Sequence, residues 1–175
     1  FDALPYPFPQ AIYDRTITVT SHSKDLAIPG ERIGYVAINP SYSDRDNLMN
    51  ALIFCNRVLG FVNAPALMQH VVRNLQNTSV EIGEYQRKRD FIFDNLVAFG
   101  YDLFKPQGAF YMFPKSPLPH EMDSVEFLQS AGVLVVPGRG FGLPGYFRLS
   151  YCVEDTVLQG SLKAFSELAK YARLS

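Results

Sequence analysis

Ser21-His22-Ser23-Lys24-Asp25-Leu26-Ala27-Ile28-Pro29-Gly30-Glu31-Arg32-Ile33-Gly34-Tyr35 is the stretch on which the reading of this chain turns. It follows Thr16–Thr20, a β-branched run alternating with period two, which predicts a strand. Two hydroxyls (Ser21, Ser23) and an amine (Lys24) then enter a turn, and Pro29-Gly30 marks a reversal. Ile33–Ile38 predicts the returning strand, stopped by Asn39-Pro40. Arg32 comes eight residues after Lys24, so two neighbouring strand ends are expected to present Ser21, Lys24 and Arg32 to one pocket. An arginine fork with a serine hydroxyl suits a phosphate dianion. A lysine beside a bound cationic partner and shielded from water titrates near about 7–8 instead of about 10.4, and its neutral amine can condense with a carbonyl. A single lysine on a loop is usually a surface charge. Here it stands out because hydroxyls, a Pro-Gly turn and an anion-binding arginine accompany it.

Upstream, Pro5, Pro7 and Pro9 predict extended, irregular chain. Downstream, Ser43 or Asp44 can cap a helix with the apolar stripe Leu48, Met49, Leu52, Cys55 and Leu59, stopped at Gly60. Asn63 can cap the next, with Pro65 in its first turn. Thr78 and Glu81 fit a capping box opening a long helix that ends at Gly100. Beyond it, strands are predicted at Ala109–Phe113, Val133–Val136 and Tyr146–Tyr151. Helices are predicted after Asp123 (with Glu126 at the box position) and from about Asp155 to Ala172. Two strands make a poor free-standing sheet, so the first part reads as the back half of a domain.

The chain has 175 residues, 47% hydrophobic and 19% charged, a globular composition that argues against disorder. A net charge of −1 calls for neither nucleic acid nor an anionic membrane. The longest apolar runs, Ala51–Cys55 and Ala109–Phe113, are five residues, far short of the roughly 18 that a membrane span requires. Cys55 and Cys152 make no disulfide framework, so a reducing, cytoplasmic setting is the expectation. His22, His70 and His120 are scattered and no Cys or carboxylate joins them at ligand spacing, so no metal site is expected.

The fifteen-residue stretch resembles the cofactor-lysine signature of class I/II aminotransferases, the fold-type I enzymes that use pyridoxal 5′-phosphate: S-x-S-K, then P-G-x-R-x-G-Y. The likeness continues through Phe61-Val62-Asn63-Ala64-Pro65, Pro106-Gln107-Gly108-Ala109-Phe110-Tyr111, Val136-Pro137-Gly138 and Phe147-Arg148-Leu149-Ser150. It implies an α/β fold comprising the C-terminal part of the fold-type I large domain plus a small α/β domain. The implied division is 1–78 for the remnant of the large domain, 79–100 for a connecting helix and 101–175 for the small domain. It further implies that Lys24 forms the aldimine with pyridoxal phosphate and shuttles the proton, that Ser21 and Arg32 grip the cofactor phosphate, and that Arg148 binds the substrate α-carboxylate. The substrates would be an amino acid and a 2-oxo acid, and the assembly a homodimer with shared active sites.

Arg148 also has a reading of its own. It stands in an apolar run between Phe147 and Leu149, where a buried arginine needs an anion and its fork suits a carboxylate. A structural salt bridge would serve as well; the resemblance favours the substrate. The stretch Gly138–Gly145 follows a strand but leads into another strand. That is the wrong context for a dinucleotide fingerprint, so it reads as a flexible loop near the substrate entrance or as a plain connection. Arg87-Lys88-Arg89 reads as a solvated helix face, and Phe91, Phe93, Phe99, Tyr101 and Phe104 as core and hinge packing.

In the family, an Asp on the pyridinium nitrogen and a Tyr on the ring hydroxyl precede the lysine. The ring-stacking aromatic and a Gly/Ser phosphate loop also precede it. Here 23 residues precede Lys24, the only acids among them are Asp2 and Asp14, and neither has a Tyr three residues on. The residues in hand therefore supply part of a site. Carbon–sulfur β-lyases and aminocyclopropane-carboxylate synthases share the same motifs, and a catalytically inert module is the remaining alternative. Exposed apolar surface and strand edges favour self-association.

Overall fold

The computed structural model describes residues 1–3 and 7–174, and the chain divides into two compact units, Pro5–Val80 and Phe1–Leu4 with Glu81–Ser175. Of the three alternating prolines, Pro5 lies outside the described residues. Pro9 opens a 3-10 turn, Pro9–Ala11, because its fixed φ is already helical.

In the first unit, β1 (Ile17–Ser21) and β2 (Gly34–Ile38) form an antiparallel pair with Ile17 opposite Ile38 and Ser21 opposite Gly34. Asn39 closes this hairpin at the end away from Lys24. It is buried, its Nδ2 donates to the carbonyls of Gln10 (2.8 Å) and Tyr13 (3.0 Å), and its N–H reaches Thr16 O at 3.0 Å. The connection from β1 to β2 carries α1 (His22–Asp25) and a 3-10 turn, Pro29–Glu31. Two helices follow, α2 (Arg45–Val58) and α3 (Ala66–Arg73). The cap expected at Asn63 is displaced to Pro65, which is extended; Ala64, preceding a proline, is disfavoured in helical conformation. None of the apolar stripe of α2 is buried, and Phe54, Leu59 and Leu67 are each at least two-thirds exposed.

The second unit has a real core. Helix α4 (Ile82–Phe99) starts at Glu81, whose carboxylate accepts from Gly83 N at 3.2 Å, in place of the Thr78 capping box. It stops at Gly100, whose φ of +95° needs glycine. The sheet is β3 (Tyr111–Met112), β5 (Phe147–Ser150) and β4 (Val136–Pro137) in that spatial order, antiparallel throughout. These strands are shorter than the sequence predicts. Helix α5 (Glu121–Ser130) begins two residues before the expected Asp123 cap, which instead sits in its first turn, and α6 (Asp155–Ala172) runs as expected. Ile92, Leu96, Leu128, Phe147, Leu158, Phe165 and Leu168 form the centre of the core. Tyr101 sits edge-on to Phe147 and Phe165 and donates its hydroxyl to Phe165 O at 3.0 Å.

The basic run on α4 does not form a solvated face. Arg89 is 1% exposed and pairs bidentately with Asp2 (2.6 and 2.8 Å), with Asp90 (2.8 Å) and with Pro106 O (2.9 Å). Lys88 donates to Val153 O, and Arg87 bridges Glu84 and Asp155.

Candidate functional site

Of the four residues the motifs single out, Ser21, Lys24 and Arg32 fall in the first unit and Arg148 in the second. In the first unit the site is built on the β1–β2 connection. The ladder ends at Ser21 opposite Gly34, and His22 N continues it by donating to Ile33 O at 3.0 Å. A Cβ on Gly34 would meet Thr20 O at 2.3 Å, so only glycine lets the strands approach this closely. Ser21 caps α1: its Oγ accepts from Ser23 N at 3.2 Å and is hydrogen-bonded to Ser23 Oγ at 2.8 Å. Within α1, buried His22 pairs through Nδ1 with Asp25 at 3.0 Å and packs against the Tyr35 ring.

Helix α1, which carries Lys24, packs against the Pro29–Glu31 turn that leads to Arg32. Two residues of this connection are left-handed without being glycine, Ala27 at φ +54° and Arg32 at φ +51°. The Arg32 guanidinium folds back to donate to Pro29 O at 2.7 Å. The shielding expected around the lysine is not observed: Lys24 and Arg32 are both exposed. Two hydroxyls, an amine and a guanidinium on one turn can hold a phosphate and present a nucleophile to an aldehyde.

The Arg148 site is assembled from β3, β5 and the Gly138–Gly145 loop. Arg148 Cζ lies 4.1 Å from the ring centres of both Tyr111 and Phe141. Phe113 stands edge-on to Phe141 at 5.7 Å. The structural salt bridge is not formed: no Asp or Glu among the described residues pairs with Arg148. Its flat faces rest on aromatic rings and its N–H edge has no acceptor among the described residues, an arrangement suited to a planar anion.

The Gly138–Gly145 stretch is not loose. It folds as a 3-10 turn, Gly138–Phe141, with Gly138 N donating to Tyr146 O at 2.7 Å. Buried Glu121, at the start of α5, accepts from Arg139 N (3.2 Å), Arg139 Nε (2.7 Å) and Gly145 N. Sequence reasoning passed over this carboxylate because nothing in its spacing marks it.

The Arg139 guanidinium, with the Gly145 and Arg139 amides, holds the Glu121 carboxyl below its ordinary 4.5. A lowered folded-state value makes the lock complete above the unfolded value and lost only as acid passes the lower one. The Gly145 amide signal is therefore expected to stay fixed from pH 7 to about 4.5 and to move only below it; a transition centred above 4.5 would contradict the lock.

The family model for aminotransferase class I and II matches residues 8–165. A probable N-acetyl-LL-diaminopimelate aminotransferase of Bacillus subtilis is 29% identical, aligning with 91% of this chain and 42% of its own length. A probable aspartate/prephenate aminotransferase of Aquifex aeolicus is 33% identical over 89% of this chain and 42% of its own. An aminotransferase structure from Eubacterium rectale superposes with a TM-score of 0.91 at 38% identity, covering 98% of this chain and 43% of that one. An aspartate aminotransferase variant of Thermus thermophilus superposes with a TM-score of 0.75 at 28% identity, covering 92% and 46%. The fold is thus that of the fold-type I aminotransferases, and the chain spans less than half the length of these relatives.

Proposed function

Because this chain belongs to the class I and II aminotransferases, we propose that it is the C-terminal part of a pyridoxal-phosphate-dependent enzyme that moves an amino group between an amino acid and a 2-oxo acid. The observation that carries this reading is Ser21, Lys24 and Arg32 gathered on the single β1–β2 connection. Ser21 Oγ and the Arg32 guanidinium would hold the cofactor phosphate, and Lys24 Nζ would attach to its aldehyde carbon. When bound, pyridoxal phosphate supplies the electron sink that makes the substrate Cα proton acidic. Lys24 Nζ is the base that takes and returns that proton, and Arg148 orients the substrate by its carboxylate.

In this reading the remnant of the large domain is 1–78, the connection 79–100 and the small domain 101–175, with Phe1–Leu4 and the connecting helix belonging to the same compact unit as the small domain. The uncovered apolar stripe of α2 supports packing against chain outside these 175 residues and against a second copy in a homodimer. No described helix is long and apolar enough to cross a membrane, and both cysteines are free, which accords with a cytoplasmic setting.

The test is direct. Pyridoxal phosphate added to this chain and then reduced with borohydride is expected to leave a pyridoxyl group on Lys24, found by peptide mass analysis. Labelling spread over surface lysines, with no preference for Lys24, would reject the assignment.

A further inference from the structure

Arg148 owes its setting to a residue on another element. The ring stacked on it, Phe141, belongs to the Gly138–Gly145 loop, which has little apolar anchorage beyond the edge-on contact of Phe113 with Phe141: Phe141 is 46% exposed and Leu143 39%. Polar contacts fix it instead. Arg139 sits at one end of the loop and Gly145 at the other, and both are tied to the Glu121 carboxylate, which is 3% exposed. The backbone between them is drawn tight as well. Leu143 N donates to Gly138 O at 3.0 Å and Gly142 N to Arg139 O at 3.2 Å, and a Cβ on Gly138 would meet Leu143 O at 2.3 Å. The other ring on the guanidinium, Tyr111, needs no such device, because β3 already holds it opposite Ser150.

We infer that Glu121 is a positioning residue for Arg148: by clamping both ends of the Gly138–Gly145 loop it holds Phe141 against the guanidinium and sets the direction in which the N–H edge meets a carboxylate. This rests on the reading of Arg148 as the carboxylate-binding residue. The physical case is one of pre-organisation. A free arginine side chain carries rotamer entropy, which an unsupported fork would lose on binding. With one ring on β3 and the other on a pinned loop, that freedom is already removed.

The test follows the Arg148 Nε–H signal of this chain by NMR, with pyruvate as the carboxylate probe. In the wild type the proton is expected to be shifted upfield by the two rings, and pyruvate to move it together with the Leu149 and Ser150 amides. Glu121→Ala and Phe141→Leu are each expected to abolish most of the upfield shift and to weaken pyruvate about 10-fold, whereas Phe141→Tyr keeps both properties. A folded Glu121→Ala chain with the wild-type shift and affinity would overturn the inference and leave the Arg148 reading standing. If Glu121→Ala does not fold, Arg139→Ala, which frees one end of the loop from Glu121 at a mostly exposed side chain, decides in the same way. A pyruvate response that survives Arg148→Met, or that is absent from the wild type, overturns the Arg148 reading and the inference with it.

Discussion

Replacing Lys24 by Ala in the complete enzyme is expected to remove amino-group transfer, by about 10²–10⁴-fold from loss of the proton-carrying amine alone. Loss of covalent attachment adds to this. The residue is the one amine on a four-residue helix whose other members make contacts of their own. Ser21 caps it, Ser23 shares a hydrogen bond with Ser21, and His22 and Asp25 pair with each other. No neighbour on α1 is therefore free to substitute as a base. The half-reaction, amino acid to oxo acid, should be followed in a single turnover, because it isolates the proton transfer from release steps. A Lys24→Ala enzyme that still converts amino acid to oxo acid would remove this residue from the chemistry, and the β1–β2 connection would lose its claim to be the active site.

The second large effect is expected at Gly34. An added methyl would sit 2.3 Å from Thr20 O and 2.9 Å from Ser21 Cα. Both are backbone atoms in the facing strand, so neither can swing aside as a side-chain tip would. The strands must part at the Ser21–Gly34 pair, and the adjacent His22 N to Ile33 O bond goes with it. Forced insertions of this kind cost about 1–3 kcal/mol, which lowers the melting midpoint by roughly 2–12 °C in a chain of this size. The site should suffer more than the fold, because the pair that opens sets the exit of the chain toward Lys24. Gly34→Ala is expected to lose selective borohydride labelling of Lys24 as well as heat stability. Gly30→Ala is the comparison, since a Cβ there meets nothing within 4 Å. Equal behaviour of the two variants would show that the close approach at Gly34 is unimportant.

Much of this molecule was legible from local chemistry. Period-two alternation gave the first strand of the hairpin and Ile33–Ile38, stopped by Asn39-Pro40, the second; glycines 60 and 100 stopped their helices, and the S-x-S-K and P-G-x-R-x-G-Y spacing placed three polar groups on one connection. What local chemistry missed was decided by distant partners. Arg89 looked solvated among its basic neighbours, yet it lies three and seven residues before Ile92 and Leu96, on the buried face of α4, where Asp2 supplies the counter-charge. That periodicity could have flagged it; the Asp2 pairing could not have been foreseen, nor the clamp of Glu121 on a loop 18 residues away. The stripe of α2 was read correctly as apolar, but burial requires a partner surface, and among the described residues this unit only half-covers Leu48 and Leu52 and leaves Met49, Cys55 and Leu59 exposed.

The left-handed backbone at Ala27 and Arg32 has a bearing on how such a turn evolves. Glycine at position 32 would relieve roughly 1–2 kcal/mol of torsional discomfort and strip away the guanidinium in the same step. With Arg32 in the phosphate-holding role proposed above, selection for robustness and selection for anion capture pull this codon in opposite directions. Mutational drift toward a sturdier hairpin would be a route by which a lineage sheds its chemistry while keeping its shape.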